Sequence, residues 1–502
     1  MRIQNKFVFS FLIFILAACS SPQPTEVIQA VEDVQPTDTI IAPPLTEPPV
    51  AATVTEMLVP TNTPAPILGR ARYTLDTTID YDAHTVSVTE SILYPNLTGN
   101  QLNALVLAVV PNLWVDCFDL AVVAVDGTLT TSYSIDGQRM TIALSSILPA
   151  GEVTTIDLQY TLSLPFAEQD DPSVSRPRIF GYTSRQMNLT NWYPFVVPYI
   201  NGEWVLHKPW LYGEHLVYDA ADFEVNLKFT DPANAPTVAA SGLPEPGDGF
   251  TRYTIQSART FALSASREFQ VSSTQAGDVL VTSYYFPLYE DGGQAALQTT
   301  VESLQAFSQH FGPYPHKSLD VVMGDFNDGM EFSGFYYLSR DFYNLYNHTP
   351  ANYLVFVAAH ETAHQWWFDQ VASDQAMQPW VDEALCTYAE RIYYESLHPD
   401  LISWWWTYRI DFYEPEGFVD IPIYESEGYL KYRNAVYFEG AHFLDDLRAR
   451  IGDDAFYAFI QDYYQQGQGK IVTANDFFRI LSQHTGTDYS DIVRQYFKNI
   501  YQ

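Results

Sequence analysis

"HETAHQWW" at residues 360–367 places two histidines and a glutamate within five positions. Residues four apart on an α-helix lie one above the other, so His360 and His364 can aim their imidazoles at one point, with Glu361 beside it. Such a pair suits zinc: neutral imidazoles ligate the metal, and the adjacent carboxylate can take a proton from water held there. With 11 His in 502 residues, the pattern arises by accident on the order of once in a hundred such chains. A chance helical pair therefore stays open until the rest of the chain is read.

A catalytic zinc usually takes three protein ligands and keeps one position for water. "WVDEALCTYAE" (380–390) reads as a second helix, and Glu383 lies nineteen positions after His364. A loop and one helical turn can fold back over that distance. On the same stretch, Asp382 and Glu390 read as residues that hold helices together, and Cys386 as a small core residue.

Together the two stretches resemble the zinc signature of the gluzincin aminopeptidases, the family of membrane alanyl aminopeptidase and leukotriene hydrolase. There eighteen residues separate the second histidine from a glutamate ligand, as they do between His364 and Glu383 here. "DGMEFSGFYYLS" (328–339) resembles the segment carrying the family's Gly-Ala-Met-Glu-Asn motif, an edge strand along which the peptide lies. The resemblance implies that Gly329 and Met330 contact substrate and that Glu331 binds its free α-amine. "YFEG" (437–440) resembles Tyr-x-Lys-Gly, which implies that Tyr437 donates to the oxyanion. It further implies one zinc per chain on His360, His364 and Glu383, Glu361 as general base, and peptides as substrates.

Several positions depart from the pattern. Phe332 stands where the family has asparagine, and Asp328 and Gly329 replace its Gly-Ala. Glu439 replaces a basic residue and is expected to face away from the site. Asp369, where asparagine is common, is a candidate acceptor for a histidine N–H. No residue of the β-rich half presents itself as a second amine-binding group. The chain stops at Gln502, so the helical domain that caps the cleft in many members is expected to be missing. These departures keep two alternatives to an aminopeptidase: a gluzincin endopeptidase or oligopeptidase, and a surface peptide-binding protein without turnover. The presence of both Glu361 and Tyr437 argues against the second.

Outward from this centre, the texture changes once. Between about 69 and 277, runs such as "HTVSVTESILY", "TTIDLQYTLSL" and "DFEVNLKFT" alternate with period two and are separated by turn residues, the signal of an antiparallel sheet. From 278 to 502 the periodicity is mostly helical, with helices expected over 350–370, 379–396, 433–451, 453–466 and 473–486. The expected architecture is α+β: a β-rich, saddle-like domain followed by a mostly helical, thermolysin-like catalytic domain.

The amino-terminal residues 1–19, "MRIQNKFVFSFLIFILAAC", set Arg2 and Lys6 ahead of an apolar run and end in "LAAC". That is an export signal resembling a bacterial lipoprotein box, with Cys19 as the lipidated residue. Residues 20–68, rich in Pro, Thr and acids, read as a disordered tether. The expected location is extracytoplasmic, anchored to a membrane through Cys19. A net charge of −35 aids solubility and opposes nucleic-acid binding. Cys117 and Cys386 fall in different halves, so no disulfide is expected. The sequence leaves the oligomeric state and the preferred side chain open.

Overall fold

The computed structural model describes residues 69–167, 179–326 and 329–501. The signal segment with Cys19, the tether and Asp328 lie outside the described residues. The described residues group as one compact unit.

The β-rich half is built on an eight-stranded sheet. Its centre is β1 (Ala71–Asp80) and β2 (Thr85–Pro95), flanked by β3 (Val153–Ser163), β4 (Ala221–Phe229) and β5 (Thr251–Ala258). Alternation explains the burial: Tyr73, Leu75, Thr77 and Ile79 of β1 face inward, while Arg72 and Asp76 face water. The β1–β4 pair is parallel, whereas β1–β2, β2–β3 and β4–β5 are antiparallel. Two further four-stranded sheets share its core.

The hairpin of β6 (Gln270–Ala276) and β7 (Val279–Tyr285) straddles residue 277. Both strands belong to a five-stranded sheet with β8 (Ser318–Gly324), β9 (Met330–Phe332) and β10 (Phe335–Ser339), in the order β6-β7-β8-β10-β9. The texture break read from sequence therefore falls in a turn inside this sheet. Strand β9 is its edge and runs antiparallel to β10. Helix α1 (Glu290–His310) lies between β7 and β8 in the chain and packs on the sheet.

Two helices carry the histidine and glutamate motifs. The side chain of Asn352 caps α2 (Tyr353–Ala363) by accepting from the Leu354 N–H. α2 stops at Ala363 rather than near 370, because the next residues turn inward and bury Trp366 and Trp367 against Phe311. His364 still closes the last helical turn onto the His360 carbonyl. Helix α3 (Trp380–Leu397) is buried along most of its length.

The expected helix over 433–451 is divided: Tyr429–Arg433 is α-helical, Asn434–Glu439 is a π-turn, and α4 spans Gly440–Ile451. π-turns of this kind concentrate at functional sites, and Tyr437 sits on this one. Gly440 is needed because a Cβ there would meet the Ala384 Cβ at 2.5 Å, beside Glu383.

Arg259 joins the halves. Buried at the end of the β-rich half, it donates to the backbone carbonyls of Asp369, Gln370 and Lys470 as well as Tyr218. No helix of the described residues is long and apolar enough to cross a membrane.

One buried acid makes the β-rich half pH-sensitive. Glu90 faces the core, accepts from the Tyr160 hydroxyl at 3.0 Å, and leaves Oε1 without a partner. Burial holds its carboxyl well above the usual range. The folded state therefore keeps a proton that the unfolded chain releases, so stability falls as pH rises above the unfolded value of about 4.3. Glu90→Gln should raise the melting temperature at pH 7–8 and change it less at pH 4. Equal shifts at both pH values would show that Glu90 does not titrate between the states.

Candidate metal centre and cleft

His360 and His364, one turn apart on α2, face Glu383 in the first turn of α3. The His360 Nε2 lies 3.3 Å and the His364 Nε2 3.6 Å from Glu383 Oε2. Zinc bonds of 2.0–2.2 Å in a tetrahedron separate neighbouring ligand atoms by about 3.3–3.6 Å. Both separations from Glu383 thus have the length of a zinc tetrahedron's edge, and the three ligand atoms lie within 4.8 Å of one another. The other imidazole nitrogens are fixed by carboxylates of the same helix, His360 Nδ1 by Glu390 at 3.0 Å and His364 Nδ1 by Asp382 at 2.8 Å. An Nδ1–H donated to a carboxylate leaves the Nε2 lone pair for a metal.

Two further features fit a cation with a water beside it. Glu361 is buried next to the histidines, and its Oε2 has no partner. Gly329 leaves the space that this carboxylate occupies, since a Cβ there would come 2.2 Å from Glu361 Oε1. Burial, then the neighbouring carboxylates, pushes Glu361 and Glu383 well above the usual carboxylate range despite the nearby His364. A divalent cation held among them would offset that negative charge. The donor set of two imidazoles and one carboxylate is the usual set of a catalytic zinc with one position left open.

These groups line a cavity of about 310 Å³. Glu331, on edge strand β9, reaches it and accepts from Gln375 at 3.2 Å. Burial, then Glu214, Glu383 and Asp382, push Glu331 up to about 8 against the pull of His364. Gly329 lines the cavity too, but Met330 between them packs against the core of the helical half, as strand alternation requires. Phe332 is buried against Phe335 and Tyr337 and presents its carbonyl to Gln365, so it offers the cavity no side chain. The Tyr437 hydroxyl donates to Glu383 Oε1 at 2.5 Å.

Sequence reading missed Glu214. It lies in the irregular stretch 205–220 of the β-rich half and lines the cavity with Glu331. The preceding Gly213, at φ +68°, lets this loop press onto Ile423, which a Cβ would meet at 2.8 Å. Tyr212 pins the loop by donating to the Ser426 carbonyl. The only signal in the sequence is a glycine beside an acid in a long stretch without strand period.

Asp369 requires a correction. Its carboxylate pairs with His316 at 2.7 Å and accepts from Gln370, not from either metal-site imidazole; only its backbone N–H reaches the His364 carbonyl, at 3.0 Å. Asp382 and Glu390 do that work from α3 instead. The electrostatic neighbours of Glu439 are His442 and Asp446, away from the cavity. His442 pairs with Asp411 and stacks on Trp406. Cys386 is buried against His364 and Asp382, at 3.3 Å from the imidazole.

Residues 295–496 match the Peptidase family M1 domain. Aminopeptidase 2 of Candida albicans is 25% identical over 239 residues, covering 44% of this chain and 26% of its own length. Aminopeptidase N of Streptomyces lividans is 25% identical over 299 residues, covering 54% and 35%. The chain thus spans about a quarter to a third of the curated relatives it matches. The fold as a whole matches the M1 zinc metallopeptidase of Deinococcus radiodurans, with a TM-score of 0.61 at 19% identity, over 86% of this chain and 95% of that one. A substituted form of that peptidase, solved with a Tyr-Ser-Ala substrate, superposes equally well, with a TM-score of 0.61 at 19% identity. The β-rich half followed by a helical catalytic half is the architecture of these peptidases.

Replacing Glu383 with Ala should lower the zinc content of the purified protein well below one per chain, as metal analysis reads directly. Full zinc in that variant would overturn the ligand assignment.

Proposed function

We propose, on the premise that the chain carries a peptidase family M1 domain, that it is a zinc-dependent aminopeptidase. The observation that carries this reading is one cavity holding His360, His364 and Glu383 together with Glu361, Glu331 and Glu214. When bound, zinc supplies Lewis-acid polarisation of the scissile carbonyl and of the attacking water. Glu361 takes the proton of that water at its free Oε2 and delivers it to the leaving nitrogen. The Tyr437 hydroxyl turns from Glu383 to the developing oxyanion, a hydrogen bond worth roughly 3 kcal/mol in the transition state. Glu331 from the edge strand and Glu214 from the β-rich half converge on the substrate's ammonium. They select a free amino end over an internal peptide bond.

Glu361→Gln keeps the shape and removes the base, so zinc should stay while kcat falls about 10²-fold or more. Turnover near that of the parent would remove Glu361 from this role. Acetylating the substrate amine leaves two carboxylates facing an uncharged end and should lower kcat/KM by about 30-fold or more. Glu331→Gln should narrow that difference. Equal cutting of free and acetylated forms by the unmutated protein would indicate an endopeptidase.

We further propose that the enzyme is extracytoplasmic, at the cell surface or the periplasmic face, and held to a membrane by a lipid on Cys19. Support comes from Arg2 and Lys6, the apolar run and "LAAC". Cys19→Ala should release the protein from the membrane fraction or block its maturation. A variant that is processed normally and remains membrane-bound would rule the anchor out.

A further inference from the structure

Two guanidinium groups line the cavity, those of Arg409 and Arg433. Arg409 is committed, because its Nε and Nη2 donate to Glu390 at 2.9 and 2.8 Å. Arg433 instead donates to the side-chain oxygen of Asn434, at 3.0 Å from Nη2 and 3.4 Å from Nε. Among the described residues no carboxylate pairs with it. A partly desolvated cation without a counter-ion is costly. Even so, Arg433 is held in place: its guanidinium stacks 4.1 Å over the Tyr413 ring and 4.8 Å from the Phe438 ring. Asn434 is anchored in turn on the Tyr413 carbonyl at 3.1 Å.

The acids of the cavity lie elsewhere in it. The largest electrostatic contributions to Arg433 come from three phenols, Tyr429, Tyr413 and Tyr353, and from Arg409, whereas those to Glu331 come from His364, Glu214, Glu383 and Asp382. The two sets share no member. A cavity of about 310 Å³ is at the small end of the range for ligand sites, about 300–1,000 Å³.

We propose that Arg433 receives a carboxylate from the leaving portion of the peptide, so that the preferred substrates are short peptides with a free amine at one end and a carboxylate near the other. This rests on the peptidase reading above and names its substrate class. A planar guanidinium held by stacking presents its free N–H groups to a carboxylate without first ordering a flexible side chain. The carboxylate is either the C-terminus of the peptide or an Asp or Glu side chain. Both offer the same pair of acceptor oxygens.

The test reads binding without turnover, by calorimetry on the zinc-loaded Glu361→Gln protein. Alanine peptides of two to four residues are compared as free acids and as C-terminal amides, and Ala-Glu-Ala-amide is compared with Ala-Gln-Ala-amide. The carboxylate form of at least one pair should bind about 10- to 100-fold more tightly. Which pair responds distinguishes the C-terminus from a side chain. Adding Arg433→Gln should bring the two members of that pair together, while Arg433→Lys should retain part of the difference. Equal binding within every pair overturns the proposal and needs no Arg433 variant to be read. Equally, a difference that survives Arg433→Gln in a protein of normal melting temperature and zinc content overturns it. Hydrolysis by the unmutated protein is scored separately: peptides bound as expected but never cut would sink the peptidase reading, and with it the substrate class, and leave only the carboxylate contact of Arg433 standing.

Discussion

Two buried hydrogen bonds, His360 Nδ1 to Glu390 and His364 Nδ1 to Asp382, determine what the rest of the molecule must provide. Each fixes a ring orientation and a tautomer, and each places a carboxylate where water cannot solvate it. Arg409 offsets one of these charges by a forked pair to Glu390, with the Trp405 N–H as a further donor. The other, Asp382, is held by Gln375, which also reaches Glu331. The metal ligands, the substrate-facing acid and the helix junction are thus parts of one hydrogen-bonded group. Moving α3 against α2 would break both imidazole–carboxylate bonds at once, while Gly440 lets α4 pack directly on Ala384 beside Glu383.

The β-rich half is part of the site. Arg259 ties it to the turn after α2 through backbone carbonyls, which requires the two halves to meet in one geometry. The loop carrying Glu214 docks on the segment around Ile423 and Ser426. The cavity acids Glu331 and Glu214 therefore come from two halves of the chain, and their separation is set by packing that neither half determines alone. Positioning of this kind matters because small displacements in a binding constellation cost much of its effect.

What is legible in the amino-acid sequence follows from this division. Helical spacing is local, so the histidine pair and the alternation of the sheet strands are legible from the residues themselves, while Glu383 is singled out among the acids of its stretch by the family resemblance. Contacts made across the fold are not legible in this way. Glu214 has no periodic or motif signal, and Asp369 has the right chemistry but a different histidine within reach. Spacing alone carries α2 too far because "QWWFDQ" is compatible with a helix, and only the burial of Trp366 and Trp367 under α1 makes the chain turn. A boundary at residue 277 splits the β6–β7 hairpin because a change of period marks where helices begin, whereas the sheet has already started one strand earlier.

Charge explains why so acidic a chain can keep this centre folded. Glu331, Glu361, Asp382, Glu383 and Glu390 are all buried there, with Arg409 as the paired cation. Burial and mutual repulsion raise Glu331, Glu361, Asp382 and Glu383, while Arg409 holds Glu390 below its usual range. Such a group is under-neutralised by the protein itself, and in the function proposed above a divalent cation and an ammonium complete it, each entering where the excess charge lies. Metal affinity and amine selectivity are then two consequences of one imbalance. Arg433, stacked on Tyr413, forms no ion pair with those acids. One small cavity thus carries opposite charges without an internal ion pair cancelling both.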